Sequence, residues 1–374
     1  MATNANDLYI GLMSGTSADG IDLALVQFDQ QGHHLHASYY QPYEPGLRQA
    51  IQRLYQPSDN ELDRLGALDK QLATVFADTI LAFLAQQGLS ASDIKAIGNH
   101  GQTIRHRPEQ PFAFSCQIGC SQTLAVLTQI PVIGRFREKD IALGGQGAPL
   151  VPAYHDAMFR NNASDVCIVN IGGIANVTFL PKQSPAVVGF DTGPGNALLD
   201  LWYSHNHPQS EQTIDKDATW ACTGSVDVGL LSRMLDDAYF HKQYPKSTGR
   251  EYFHGEWLER ALRAFPLLSA ADIQATLHAL TAHSIANEVN KLSDKCEVII
   301  VGGGAHNPLL MKMLSDLLPN SNVQTGSQYG IDNDSLEAVV FAWLAHAYLH
   351  NIPSNLPSVT GASRSTSLGC LFTP

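Results

Sequence analysis

Two apolar runs, "LYIGLM" and "IDLALVQF", flank "SGTSADG" (Ser14 to Gly20), and this pattern predicts two neighbouring strands. A third strand is expected at "LHASYYQPY". Helical periodicity follows at "GLRQAIQRLY" and "NELDRLGALDKQLATVFADTILAFLAQQG". Strands at "IKAIGNHG", "FAFSCQIG" and "PVIGRF" enclose a helix at "SQTLAVLTQ". Three antiparallel strands and then alternating helices and strands predict a mixed sheet with helices on its faces.

The second half repeats this order of elements without repeating the sequence. "DVCIVNIGGIANVTFLP" reads as strand, small-residue reversal, strand, and "AVVGFDTGPGN" gives the third strand. A helix-rich middle precedes the strand "EVIIVGGGAHN" and the helix "PLLMKMLSDLL", and "DNDSLEAVVFAWLAHAYL" reads as an amphipathic helix. The expected fold is therefore α/β, with two similar domains facing a cleft. The first domain is predicted over residues 1–136 and the second, with a helical insertion, over 137–354. The boundary is placed near Arg137 to Gly147, and residues 355–374 are expected to pack back on the first domain.

At 374 residues, 44% hydrophobic and 16% charged, the chain has the length of two globular domains. A net charge of −12 without a lysine or arginine run argues against a nucleic-acid binder. A small anionic substrate needs only a local pocket. The six cysteines show no zinc spacing and are expected as free buried thiols. The first residues lack a signal-peptide pattern, and no apolar run approaches the roughly 20 residues of a membrane span. A soluble, cytoplasmic protein is the expectation.

Candidate chemistry concentrates at three reversals: "MSGTSADG", "NIGGIAN" (Asn170 to Asn176) and "GGGAHN" (Gly302 to Asn307). Glycines admit a phosphate close to backbone N–H groups. Thr16 and Ser17 add hydroxyls, and Asp19 and Asp22 could hold a metal ion through water. Neither a Walker loop nor a G-x-G-x-x-G is present. Any one cluster can be an ordinary turn, but three of them directly after apolar strands read as phosphate-facing loops. In "GFDTGPGNALLD", Asp191 is read as ending a strand, with Asn196 capping the following helix. Such a carboxylate is either a general base or a brace for its own turn. His100, Gln102, Thr103 and Arg137 are candidate contacts for a sugar or carboxylate, whereas Arg105 and Arg107 are expected in solvent. "PKSTGRE" reads equally as a solvated loop or an anion contact, and Glu337 suits a helix start whatever the function.

Taken together, "GLMSGTSADGID", "HGQTIRHRP", "DIALGGQGAPLVP", "NIGGIANVT", "FDTGPGN", "PKSTGRE", "EAVVFAWLA" and "NLPSVTGAS" resemble the anhydro-N-acetylmuramic acid kinase family, in the family's order, from Ile10 to Ser363. The resemblance implies two RNase H-like (actin-like ATPase) domains, with ATP and Mg²⁺ as cofactors. It implies a reaction in which ATP and water open 1,6-anhydro-N-acetylmuramic acid and phosphorylate O6, giving N-acetylmuramic acid 6-phosphate in bacterial cell-wall recycling. By the same resemblance, Asp191 is the base and Glu337 stands near the reacting groups. Gly15, Thr16, Ser17, Ala18, Asp19, Gly20, Ile21 and Asp22 then correspond to the family's ATP-binding segment, and Ser14 with Asn170, Gly172, Gly173, Gly302, Gly303 and Gly304 of the reversals read above are the further ATP contacts expected. His100, Gln102, Thr103, Arg137 and Asn196 bind the amino sugar. A homodimer is a further expectation. Where the family has Asp-Phe-Arg, this chain reads Arg135-Phe136-Arg137. The rival readings are another sugar or acyl kinase of the superfamily and a non-catalytic actin-like ATPase.

Overall fold

Strands β1 (Leu8–Ser14), β2 (Gly20–Asp29) and β3 (Gly32–Pro42) form an antiparallel meander. Two helices follow, α1 (Pro45–Gln52) and α2 (Glu61–Gln86), and then β4 (Ile94–Arg107) and β5 (Phe114–Ile118). Next come α3 (Ser121–Thr128), β6 (Val132–Gly134), α4 (Phe136–Ala142) and α5 (Val151–Phe159). A second meander comprises β7 (Asp165–Ile171), β8 (Ile174–Leu180) and β9 (Val188–Pro194). It leads into α6 (Ala197–Asn206), α7 (Val228–Leu235), α8 (Gly255–Leu262) and α9 (Ala270–Leu292). The chain continues through β10 (Cys296–Val301), α10 (Pro308–Leu317), β11 (Asn322–Thr325), α11 (Leu336–Leu349), α12 (Pro357–Thr360) and β12 (Cys370–Phe372). This computed structural model describes residues 7–29, 32–160, 163–330 and 335–374. The "DND" before α11 lies outside them.

One sheet has the order β12-β6-β4-β1-β2-β3 with β5 on β4, and the other has the order β11-β10-β7-β8-β9. In each, a three-strand meander is extended by parallel strands, β4 and β6 in one and β10 and β11 in the other. The fold is thus α/β with two RNase H-like units. The first unit runs to Met158 and resumes at Ser335, and the second is the contiguous stretch Phe159–Asp334. The division therefore falls well after Arg137–Gly147, and the chain returns near 335 rather than 355.

Helix α11 explains that earlier return. It is buried almost all round, including Leu336, Phe341, Trp343 and Leu344, so it is a core helix and not an amphipathic one. It lies on β1, β2 and β4, where Gly11 and Gly98 face each other across the ladder. A Cβ on Gly11 would overlap the Ala338 carbonyl, and one on Gly98 the Phe341 carbonyl. The absence of those two side chains lets the helix backbone rest directly on the sheet. On the opposite face, Ile10 and Leu12 pack with Leu68, Leu72 and Phe76 of α2. Burial on both faces is why β1 reads as a continuous apolar run. In the second unit the core joins Val169 and Val298 of the sheet to Leu277, Leu280 and Ile285 of α9.

All six cysteines are free. Cys167 and Cys296 are buried with Sγ atoms 3.6 Å apart, but Cys116 and Cys120 are half-buried and Cys222 and Cys370 exposed. Arg105 also departs from expectation. It pairs with Glu61 at 2.6 Å and donates to the Leu54 carbonyl, because β4 continues as far as Arg107. Among the described residues, no helix is long and apolar enough to cross a membrane.

His155 on α5 is 2% exposed, and burial lowers its pKa from 6.5 to about 3. Below pH 6.5 the unfolded chain therefore binds a proton at this site that the folded chain refuses, so stability falls as pH falls toward 3. At about 1.4 kcal/mol per unit, this one group removes about 2 kcal/mol between pH 7 and pH 5. Urea titrations at both pH values should show His155→Phe losing correspondingly less than the native chain. Equal losses would remove His155 from the pH dependence.

Candidate active site

The first reversal sorts its residues by direction. Gly15, Thr16, Ser17 and Asp19 lie toward the surface, and Asp22 is half-buried at the start of β2. Ser14, Ala18, Gly20 and Ile21 are buried. The Ser14 hydroxyl donates to Gln102 Oε1 at 2.5 Å and lies 2.7 Å from the Tyr43 hydroxyl. Gln102 Nε2 donates to the Gly15 carbonyl at 2.9 Å, and the Tyr55 hydroxyl donates to the Thr16 carbonyl at 3.0 Å. Ser14 and Gln102 therefore brace the loop from behind. Ser17 donates to Asp19 Oδ1 at 2.8 Å. A Cβ on Gly15 would meet nothing closer than Ser17 Oγ at 3.7 Å, so packing does not require glycine here.

His100 sits two residues before Gln102 on β4, under Phe341. Its Nδ1 lies 2.9 Å from the Gly101 carbonyl, so Nδ1 carries the proton and Nε2 is an acceptor. Arg137 of α4 donates to that Nε2 from Nε at 3.2 Å and Nη2 at 3.0 Å, and from Nη1 to the Gly147 carbonyl at 2.8 Å. Burial, then the Arg137 charge, hold His100 neutral, well below the usual imidazole range. Glu337 is open to solvent at the start of α11, and the protein around it raises its pKa while Arg137 pulls it back. Arg137 is thus oriented by His100 and Gly147. Arg135 points elsewhere, exposed near Glu138 and over the Phe372 ring, so the basic residue there leaves Arg137 in place. Thr103 is not part of this cluster, since its hydroxyl accepts from Gln117 on β5 at 3.2 Å.

Behind Arg137 is a buried carboxylate that sequence reading passed over. Asp140 accepts from Gly147 N–H, Asn355 Nδ2 and the Thr360 hydroxyl, each at 2.8 Å. It ties "DIALGGQG" to "NLPSVTG" and so fixes the carbonyl that holds Arg137.

In the second unit Asp191 lies in the middle of β9, not at its end. Its Oδ2 accepts from Ser247 Oγ at 2.9 Å and Thr248 N–H at 3.0 Å, while Oδ1 accepts no hydrogen bond among the described residues. Its backbone N–H donates to the Lys246 carbonyl and its carbonyl accepts from the Tyr239 hydroxyl at 2.7 Å. Burial raises the Asp191 pKa, the Thr248 and Ser247 donors lower it, and Glu251 raises it. The strap Pro245–Glu251 is therefore a carboxylate holder. Its signal in the sequence was two adjacent hydroxyl residues between charges.

The glycine turns after β7 and β10 have separate tasks. The carbonyls of Gly172 and Gly173 accept from N–H groups of Gly195, Asn196 and Ala197, so they cap α6. Asn196 makes no side-chain cap and donates to the Ile171 carbonyl at 3.2 Å. Asn170 is half-buried beside Gly302, Gly304 packs on Ile171, and Gly303 is exposed with only Asn196 Nδ2 within 4 Å of a Cβ position. Gly172, Gly302 and Gly303 lie at the carboxyl ends of parallel strands, where open α/β sheets bind ligands. Among the described residues no group of three His, Cys, Asp or Glu side chains is placed to hold a metal ion alone.

Residues 7–374 match the family model described as anhydro-N-acetylmuramic acid kinase. An anhydro-N-acetylmuramic acid kinase of Colwellia psychrerythraea is 52% identical, covering 98% of this chain and 97% of that protein. One from Shewanella denitrificans is 50% identical, with 97% of each covered. Among solved structures, a ROK family glucokinase from Streptomyces griseus in complex with glucose and AMPPNP covers 90% of this chain and 98% of its own, at 12% identity and a TM-score of 0.41.

Proposed function

Because the chain belongs to the anhydro-N-acetylmuramic acid kinase family, we propose how its residues divide that reaction. The enzyme is an ATP-dependent phosphotransferase acting on 1,6-anhydro-N-acetylmuramic acid. It opens the anhydro ring with water and phosphorylates O6 to give N-acetylmuramic acid 6-phosphate.

Asp191 Oδ1 takes a proton from the water that attacks C1. The C1–O6 bond breaks, and O6 receives the γ-phosphoryl group as ADP leaves. The observation carrying this reading is the asymmetry of Asp191, with Oδ2 held by two donors and Oδ1 left with its lone pairs. Burial raises its basicity toward that of a working general base. Gly15, Thr16, Ser17 and Asp19 face the ATP phosphates. The open space around a Cβ position at Gly15 leaves room for a phosphate to approach the backbone. Gly303 offers a second backbone approach. Arg137, held by His100, neutralises charge near Glu337. The exposed Asp19 and the half-buried Asp22 are the carboxylates that would hold Mg²⁺, an ion that keeps several waters and takes few protein ligands. Bound there, it would neutralise phosphate charge. The proposed setting is the cytoplasm, where ATP is supplied.

Turnover in ¹⁸O-water tests the reading. The label is expected at the C1 hydroxyl of the sugar phosphate and absent from its phosphoryl group. Label in inorganic phosphate, with the anhydro sugar intact, would reduce the chain to an ATPase.

A further inference from the structure

The reaction described above has no use for one costly feature of the second unit. Lys246 and Glu288 form an ion pair at 2.9 Å with side chains only 1% and 4% exposed. Removing two charges from water costs about as much as their attraction returns, and an apolar pair of similar volume is often as stable or more so. Stability alone therefore does not account for this pair.

The connections of Lys246 lead to Asp191. Lys246 belongs to the strap, and the two residues after it supply both donors to Asp191 Oδ2. The Lys246 carbonyl accepts the Asp191 N–H at 3.2 Å. Lys246 Nζ stands 5.0 Å from the centre of the Tyr239 ring, and the Tyr239 hydroxyl donates to the Asp191 carbonyl. Glu288 belongs to α9, the long core helix packed on β9, and its Oε1 also accepts from Lys291 at 2.8 Å. A rigid helix, an ion pair, a strap and the carboxylate thus form one closed chain of contacts.

We propose that the Lys246–Glu288 pair is a positioning device that clamps the strap so that Ser247 and Thr248 hold Oδ2 and leave Oδ1 facing the substrate. The proposal rests on Asp191 being the base. The charged and titratable groups around Asp191 are Glu251 and Lys246 of the strap, Tyr239, and Glu288 of α9. With the clamp released, the two donors that lower the Asp191 pKa are lost, while burial and Glu251 still raise it. Because the ionised form is the active one, the acid limb of the kcat/KM profile should move to higher pH.

The test compares Lys246→Met with the double variant Lys246→Met/Glu288→Leu. Lys246→Met should lose roughly 10- to 100-fold in kcat, as small misplacements of a reacting group do, with KM for the sugar within about threefold. Its acid limb should shift upward. The double variant also removes the carboxylate, which Lys246→Met leaves with Lys291 as its remaining partner, and should recover the native thermal midpoint, yet keep the shifted limb and the low kcat. Recovery of both stability and the native pH profile would reduce the pair to packing and overturn the proposal, as would an unshifted limb in both variants. Asp191→Asn is assayed alongside. An active Asn variant would overturn the base assignment itself, whereas an inactive one beside unshifted clamp variants would overturn the clamp alone.

Discussion

Asp191→Asn should bind ATP and the anhydro sugar normally and lose roughly 10²- to 10⁴-fold in turnover, the range expected for removing a general base. The strap makes this substitution unusually decisive. Ser247 Oγ and Thr248 N–H are donors, so they select the amide oxygen at the Oδ2 position. The NH₂ group is then forced into the Oδ1 position, where it offers the water no lone pair. Coupling of ring opening to phosphoryl transfer should make ADP release fall with sugar hydrolysis. Calorimetric titration of both ligands, with a coupled ADP assay, separates binding from chemistry. A variant with more than about a tenth of native turnover would leave Asp191 as a turn brace.

A loss of similar weight, in stability, is expected from Asp140→Ala. The substitution strands three donors, Gly147 N–H, Asn355 Nδ2 and the Thr360 hydroxyl, around a side chain that is fully buried. At about 1–3 kcal/mol for each stranded donor, the loss should be on the order of 5 kcal/mol, which lowers the melting temperature of a unit this size by on the order of 10 °C. Arg137 should loosen as well, since the Gly147 carbonyl that holds it hangs on the same carboxylate. Thermal denaturation measures the first effect, and sugar KM in the folded fraction the second. A midpoint within about 2 °C of native would show that water satisfies the three donors.

The meanders and their repetition were legible because apolar runs and glycine reversals are local signals. The unit boundaries were not, because α11 joins the first sheet through the matched gap at Gly11 and Gly98, which no local pattern displays. Asp191 was misplaced to a strand end because Gly193 and Pro194 read as strand breakers. β9 is an edge strand, and there a proline costs no ladder bond. The motifs name candidate site residues by type, but they do not show which of them brace others. Ser14 and Gln102 became braces only when Tyr43 and Tyr55, distant in the chain, closed round them. The holders of Asp191 were obscured in the same way, since Ser247 and Thr248 reach it from a segment beyond two further helices.

The placement of α11 also imposes an order of assembly. Residues 159–334 are contiguous, so the second unit can complete its core as soon as they are made. The first unit is synthesised earlier, yet the sheet face around Gly11 and Gly98 stays bare until the helix at Leu336–Leu349 appears. At the usual pace of synthesis that interval lasts on the order of tens of seconds. A nascent chain of this protein therefore carries an uncovered apolar sheet face through most of its translation, and the half begun first is the half finished last.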